Sequence, residues 1–357
     1  MTDRPSDAPR PTLVPLPEHP GVSYVMPVLN EADNLAEAVG AVLSQEYPGE
    51  QELVIALGAS TDDTNAIAAQ LAAGDVRIRL VDNPDNDIPK GLNRAILASH
   101  HPIVIRVDAH SELPVGYTAT AVAILRRTGA ANLGGVMVAR GRTPFQQAVA
   151  RAYNSPFGLG GGVYHHGAKE AEADSAYLGV FRREVLDEVG YYDESIRRGE
   201  DWELNHRIKQ AGHLVLFTPE LEVTYWPRTS IDALRRQMFA TGVWRGHLVR
   251  EMRGTPLRYL PPPLVTLVVA TSLAGGLAQL FGLGRRSPVL AVAHLGALGY
   301  LGGVGVVSAT RLGGDGCRDR ALNAVVLLTM HLSWGAGFLR GFLAGAQTTV
   351  DRSRVTT

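Results

Sequence analysis

The chain has 357 residues, enough for about two domains. Its 34 Lys and Arg nearly balance 35 Asp and Glu, so it is not built as a whole to bind polyanions, and no zinc-finger spacing, recognition-helix pattern or stacking-aromatic signature points to nucleic acid. The one cysteine, Cys317, excludes an intramolecular disulfide and a cysteine-based structural zinc site.

Met1 to Pro20 is rich in Pro, Asp and Arg and lacks the apolar run of a signal peptide. It is expected to be a flexible tail, leaving the soluble part on the cytoplasmic side. Val22 to Val28 reads as a buried strand ending in the loop at Asn30 and Glu31. Asp33 to Leu43 carries helical spacing, and Glu52 to Leu57 is a second strand. Ser60 to Thr64 opens a helix over Asn65 to Ala73, Val76 to Val81 is a third strand, and Gly91 to Ser99 is helical. Pro102 to Val107 is a fourth strand that runs into Asp108. Such alternation predicts an α/β fold, a mostly parallel sheet with helices on both faces. Ligands of these sheets bind beyond the carboxyl ends of the strands, where the loops at Asn30-Glu31, Ser60-Thr64 and Asp108-His110 all fall.

Farther on, Tyr117 to Arg127 reads as a helix and Asn132 to Ala139 as a strand. A glycine-rich stretch from Phe157 to Val163 follows, then helices over Arg182 to Val189 and Asp201 to Gln210. Ile231 to Arg253 mixes apolar residues with Arg235, Arg236, Arg245 and Arg250; it fits a helix on a membrane surface or an ordinary connecting helix.

Three segments lack Asp, Glu, Lys and Arg: Leu260 to Gly284, Ser287 to Thr310 and Ala321 to Leu339. Each has the roughly 20 apolar residues of a membrane span. Arg245, Arg250, Arg253 and Arg258 before the first span, and Arg311, Arg318 and Arg320 between the second and third, place both regions in the cytoplasm. Arg285, Arg286, Arg352 and Arg354 run against that orientation.

Two motifs can carry chemistry. In extended chain Asp108 and His110 point to one side, so a carboxylate and an imidazole can share a metal ion with diphosphate oxygens, although D-x-H also suits a surface turn. An imidazole ligand favours manganese over magnesium, which prefers oxygen. Glu200, Asp201 and Glu203 open a helix, where acids complement the helix dipole. A carboxylate such as Asp201 can equally serve as a general base toward a hydroxyl.

The motifs Pro27-Val28-Leu29-Asn30-Glu31, Ser60-Thr61-Asp62-Asp63-Thr64, Asn93, Asp108-Ala109-His110 and Glu200-Asp201 follow one another in the order of the family 2 inverting glycosyltransferases. The chain resembles that family over roughly residues 21–250, and its succinoglycan-type branch through Ser155 to Gly161 and Tyr177 to Arg182. The resemblance implies a GT-A domain over residues 21–228, after a tail over 1–20. A connector over 229–259, about three membrane helices over 260–345 and a tail over 346–357 would follow. It implies donor binding by Pro27, Leu29, Glu31, Ser60, Asp62, Asn93 and Asp108, a metal on Asp108 and His110, and catalysis by Asp201 with Glu200. Gln237, Trp244, Arg245 and His165 stand as acceptor or diphosphate contacts. The partners implied are a nucleotide-sugar donor, uridine-based by default only, and a polyprenyl-linked or other lipid-linked glycan. Membrane lipids complete the set, in a bacterial cytoplasmic membrane. Two positions depart from the family: Leu57 replaces an acid that contacts the base, and His110 replaces a second Asp. A polyprenyl-phosphate sugar synthase, and an inactive scaffold or nucleotide-sugar-binding subunit, stay open as alternatives.

Overall fold

The computed structural model describes residues 10–158, 169–196, 198–251, 259–284 and 287–346. The chain divides into two compact units, Met1–Val138 with Gly162–Trp226, and Ala139–Gly161 with Pro227–Thr357.

The first unit is a sheet with helices on both faces. Strand β1 (Val22–Val28) lies parallel between β2 (Gln51–Leu57) and β4 (Ile103–Arg106), and β2 pairs in parallel with β3 (Ile78–Asp82). The helices α1 (Leu35–Leu43), α2 (Thr64–Gly74) and α3 (Ile88–Ala98) make the crossovers. Beyond β4 the sheet turns antiparallel. There β8 (Val180–Arg182) joins β4 to β6 (Asn132–Ala139), and β9 (Val215–Tyr225) carries the short strands β5 (Ser111–Glu112) and β7 (Ala171–Glu172). The parallel sheet expected from the alternation thus occupies one half of a mixed sheet.

Side chains on β1 alternate between two cores. Val22, Tyr24, Met26 and Val28 pack with α1 and α4 (Tyr117–Thr128), while Val25 joins Leu92 and Ile96 of α3 on the other face. Burying one such side chain stabilises the fold by roughly 1.5–3 kcal/mol. The second face is completed by α6 (Arg183–Val189) and α7 (Glu200–Gln210).

The expected flexible tail is corrected over its described part. Leu13 and Leu16 pack against the two cores. The Val14 amide donates to Glu184, its carbonyl accepts from the Arg182 guanidinium, and Tyr47 donates to the Pro20 carbonyl at 2.7 Å. Apolar residues in this Pro-rich stretch bind it to the surface of the sheet unit.

The second unit is helical. Helix α5 (Pro144–Tyr153) starts with a capping box between Thr143 and Gln146 and a proline in its first turn. The others are α8 (Ile231–Glu251), α9 (Pro261–Leu280), α10 (Pro288–Thr310) and α11 (Cys317–Ala344). The last three are long and apolar enough to cross a membrane. Their polar side chains hydrogen-bond between helices, Ser272 with His294 at 2.8 Å and Tyr300 with His331 at 3.2 Å.

Helix α8 is a packing helix over most of its length. Leu234, Met238, Val243, Trp244 and Leu248 are buried, and glycines bring it against α11. A Cβ at Gly242 would stand 2.1 Å from the Trp334 carbonyl oxygen, and one at Gly341 would stand 1.9 Å from that of Val243. A Cβ added at Gly299, Gly302, Gly303 or Gly305 of α10 would meet no atom within 4 Å beyond its own stretch of helix.

Candidate active site

The loops after β1 and β2 are tied together before any ligand is considered. Asn30 adopts φ 53°, a left-handed conformation that Asn tolerates better than most residues. Its side chain accepts from the Thr61 amide at 2.8 Å, and its amide donates to Ser60 Oγ at 3.1 Å. The Glu31 amide donates to Thr64 Oγ1 at 2.8 Å, and the Ala32 amide donates to Asp62 Oδ2 at 3.3 Å. Asp62 also accepts from Thr64 through backbone and side chain. Burial would raise the Asp62 pKa, but these hydrogen bonds outweigh it and hold the carboxyl below its ordinary value. Ser60 and Asp62 therefore knit the two loops. Gly58 is required by the same close approach: a Cβ there would lie 2.8 Å from Asn86 Oδ1 and 2.9 Å from Leu29 Cδ1.

At the end of β4, Arg106 organises three carboxylates. Its Nη1 donates to Asp201 Oδ1 at 2.6 Å and to Glu200 Oε1 at 3.1 Å, and its Nε donates to Asp108 Oδ1 at 3.2 Å. Arg106 is 5% exposed, so these ion pairs form largely away from solvent. Gly199, at φ 82°, turns the chain into α7 and sets Glu200 and Asp201 in its first turn. The third acid of that turn, Glu203, is taken by Arg207 at 2.6 Å. Asn205 donates to the Asp201 carbonyl at 2.7 Å and accepts from Asn132 at 2.6 Å, which fixes α7 on β6.

One guanidinium cannot neutralise three carboxylates. The Asp201 side chain keeps 24% of its surface open, yet the carboxylate is enclosed by protein. Desolvation raises its pKa to about 7; Arg106 pulls it down, while Glu200 and Asp108 push it up. Tyr192 donates to Asp201 Oδ1 at 3.3 Å, and its ring lies 5.9 Å from the Arg106 guanidinium carbon. Burial, with the Asp201 charge next, keeps the Tyr192 hydroxyl protonated well above the ordinary range.

His110 is buried, with Nδ1 3.5 Å from Glu31 Oε1 and its ring edge-on to Tyr225. Glu31 and His110, far apart in sequence, thus meet in the structure. Among the described residues no three His, Cys, Asp or Glu side chains converge as a complete metal cage. A carboxylate and an imidazole, as at Asp108 and His110, are donor types that suit an ion whose remaining ligands are substrate oxygens and water. Tyr177 borders this region through a 3.4 Å contact between its hydroxyl and that of Ser111. It shares a turn with the next residue, Leu178, which takes φ 45°, an uncommon left-handed conformation for a leucine.

The remaining expected residues have other surroundings. Pro27 is buried within β1 opposite Ala56, and Leu57 lies between Val28 and Asp82 in register. Asn93 turns its amide toward the chain at Tyr192. Gln237, Trp244 and Arg245 belong to the helical unit. There Gln237 meets the Tyr153 hydroxyl at 3.4 Å, Trp244 is buried, and Arg245 stands 4.6 Å over the Tyr259 ring. His165 lies outside the described residues, as do His166, Arg253, Arg258, Arg285, Arg286, Arg352 and Arg354. Arg106 and Tyr192 were not singled out from the sequence. The available signal was an arginine inside the otherwise apolar run Ile103-Val104-Ile105-Arg106-Val107.

Residues 23–190 match the Glycosyl transferase family 2 model. Succinoglycan biosynthesis protein ExoA of Rhizobium meliloti (strain 1021) is 34% identical over 322 residues, covering 89% of this chain and 94% of that protein. Glycosyltransferase AglE of Haloferax volcanii is 24% identical over 225 residues, 62% of this chain and 72% of that protein. Among solved structures, the mannosyltransferase PcManGT from Pyrobaculum calidifontis, in complex with GDP-Man and Mn2+, superposes with a TM-score of 0.56 at 19% identity. The match covers 95% of this chain and 90% of that one, and it establishes similarity of fold.

Proposed function

We propose a specific reaction from one premise: the chain belongs to glycosyl transferase family 2. It is a glycosyltransferase with a GT-A-type fold and three helices able to cross a membrane. The reading is an inverting transfer of a sugar from a nucleotide-diphosphate sugar to a hydroxyl of a lipid-linked glycan, in cell-envelope or exopolysaccharide synthesis. The observation that carries it is the joining of Asp108, Glu200 and Asp201 on Arg106 at the carboxyl end of β4.

In this reading Asp201 accepts the proton of the acceptor hydroxyl as its oxygen bonds to the anomeric carbon. The bond from that carbon to the diphosphate breaks, and the nucleoside diphosphate leaves with the bonding pair. Asp201 suits the task because its pKa of about 7 lies near working pH. Arg106, with Glu200, fixes the carboxylate, and Tyr192 donates to the same oxygen. A divalent ion held by Asp108, His110 and diphosphate oxygens would neutralise the leaving group's charge, and the imidazole ligand favours manganese over magnesium. Pro27, Leu29, Glu31 and the loop built by Ser60 and Asp62 would border the donor. The base is set as uridine by default alone, since Leu57 removes the acid that marks the family. The arginines before the first span and between the second and third favour a cytoplasmic catalytic unit on a bacterial inner membrane, where a polyprenyl-linked acceptor is concentrated.

The test is nucleoside-diphosphate release by purified protein in detergent, with UDP-, GDP- and dTDP-sugars and a membrane lipid extract, with manganese or EDTA. Asp201→Asn is expected to lower kcat by roughly a thousandfold, within the range of general-base losses. Metal-dependent turnover that survives this substitution would discard base catalysis and turn the reading toward a phosphate acceptor, which needs no base.

A further inference from the structure

The buried amide of Asn93 has three of its hydrogen-bonding positions turned onto one short piece of chain. Its Nδ2 donates to the Tyr192 carbonyl at 2.9 Å and to Glu194 Oε1 at 3.1 Å, and its Oδ1 accepts from the Tyr192 amide at 2.9 Å. The side chain of α3 therefore brackets the backbone of Tyr192 from both ends of the residue. Asn93 is 7% exposed, which leaves it little surface to offer a ligand.

Tyr192 carries this constraint to the site. It is 3% exposed, its ring packs edge-on to Phe181 and against the Arg106 guanidinium, and its hydroxyl donates to Asp201. The turn that holds it begins at Gly190, φ 79°, and the Arg207 guanidinium donates to the carbonyls of Val189, Gly190 and Tyr191. The tyrosine backbone is thus fixed on one side by α7 and on the other by Asn93. Without Asn93, a buried carbonyl and amide would lose their partners and the turn would have to move.

We propose that Asn93 is a positioning residue that acts on Asp201 through Tyr192, and that it is not a donor contact. The inference rests on Asp201 being the base. Loss of Asn93 would shift the tyrosine ring and hydroxyl, loosen both Arg106 and Asp201, and slow the chemical step while leaving nucleotide affinity in place. A donor contact would behave in the opposite way.

The experiment uses the full chain in detergent. Asn93→Ala, Asn93→Asp, Tyr192→Phe and the Asn93→Ala/Tyr192→Phe pair are assayed for kcat and donor KM, and UDP and GDP binding is titrated by calorimetry. Asn93→Ala is expected to lower kcat roughly ten- to a hundredfold, the scale of a displaced catalytic group, with nucleotide Kd within about twofold. Asn93→Asp keeps the acceptor for the Tyr192 amide and is expected to lose less. Tyr192→Phe is expected to add little in the Asn93→Ala background, because the hydroxyl is already displaced there. A tenfold weaker nucleotide Kd with kcat retained would overturn the inference, and so would additive losses in the double variant. Should Asn93→Ala fail to fold, Asn93→Asp against Tyr192→Phe gives the same decision. Wild-type kcat in Asp201→Asn would overturn the base assignment; a dead Asp201→Asn beside unaltered kcat in the Asn93 variants would overturn this inference alone.

Discussion

The two units hold themselves together by opposite means. In the sheet unit, the site depends on charge: a buried guanidinium serves Asp108, Glu200 and Asp201, and buried amides from Asn132 and Asn205 fix the helix that bears two of these acids. In the helical unit, α8 and α11 meet through glycines that let backbone touch backbone, as at Gly242 and Gly341. The first arrangement is sensitive to charge and proton count, the second to volume. The difference also assigns their failure modes. A charge lost from the first leaves carboxylates without the cation they share, whereas an atom added to the second forces two helices apart.

The largest expected effect that separates them is Arg106→Gln. It leaves three carboxylates without their shared cation, and removal of one partner from a buried pair costs roughly 3–5 kcal/mol. Thermal unfolding in detergent should report that loss, and Arg106→Lys should recover part of it. Equal stability of Arg106→Gln and wild type would remove charge as the organising force of the site. Next comes volume. Gly341→Val places a Cβ about where the Val243 carbonyl oxygen stands, at 1.9 Å, and overpacking of that kind costs roughly 1–3 kcal/mol or more. Gly299→Val on α10, with nothing within 4 Å, should stay within about 0.5 kcal/mol. Equal damage from both would erase the distinction between packed and open glycines.

The pH dependence of stability is the most discriminating test for Asp201. Its folded pKa lies near 7, above the ordinary 3.8, so the folded chain binds this proton more tightly than the unfolded chain does. Its contribution to stability should therefore grow as pH falls from about 7 toward 4, then level off. With Asp201 as the proposed base, activity should fall as pH drops through the upper part of that interval. Parallel pH series of unfolding, with EDTA present, and of kcat/KM would check the opposed signs; a common direction would dismiss the raised pKa.

Much of the sheet unit was legible because its strands are apolar runs bounded by polar loops. Asn132–Ala139 was read to its ends, and β1 likewise. The antiparallel half was less so: β5, β7 and β8 span two or three residues, too short for a period to show. Asp108, Glu200 and Asp201 were each readable as chemistry, but their convergence on Arg106 depends on contacts more than ninety residues apart, such as the 94 separating Arg106 from Glu200. Asn93 carries a motif position, and only its partners reveal that its amide is spent on Tyr192. Residues 10–20 have the composition of a tail, yet Leu13, Leu16 and the hydrogen bonds at Val14 and Pro20 seat them.

Within the helical unit, α5 leans on α11: the Arg151 guanidinium donates to Asn323 at 2.9 Å across 172 residues. A ribosome adding about 5–20 residues per second takes roughly ten to thirty seconds to cover that interval. Helix α5 is therefore made well before its partner and meets it only once α11 has been synthesised. The contact cannot form until Cys317–Ala344 has been made, and a chain cut short before that helix would lack the surface on which α5 is seated.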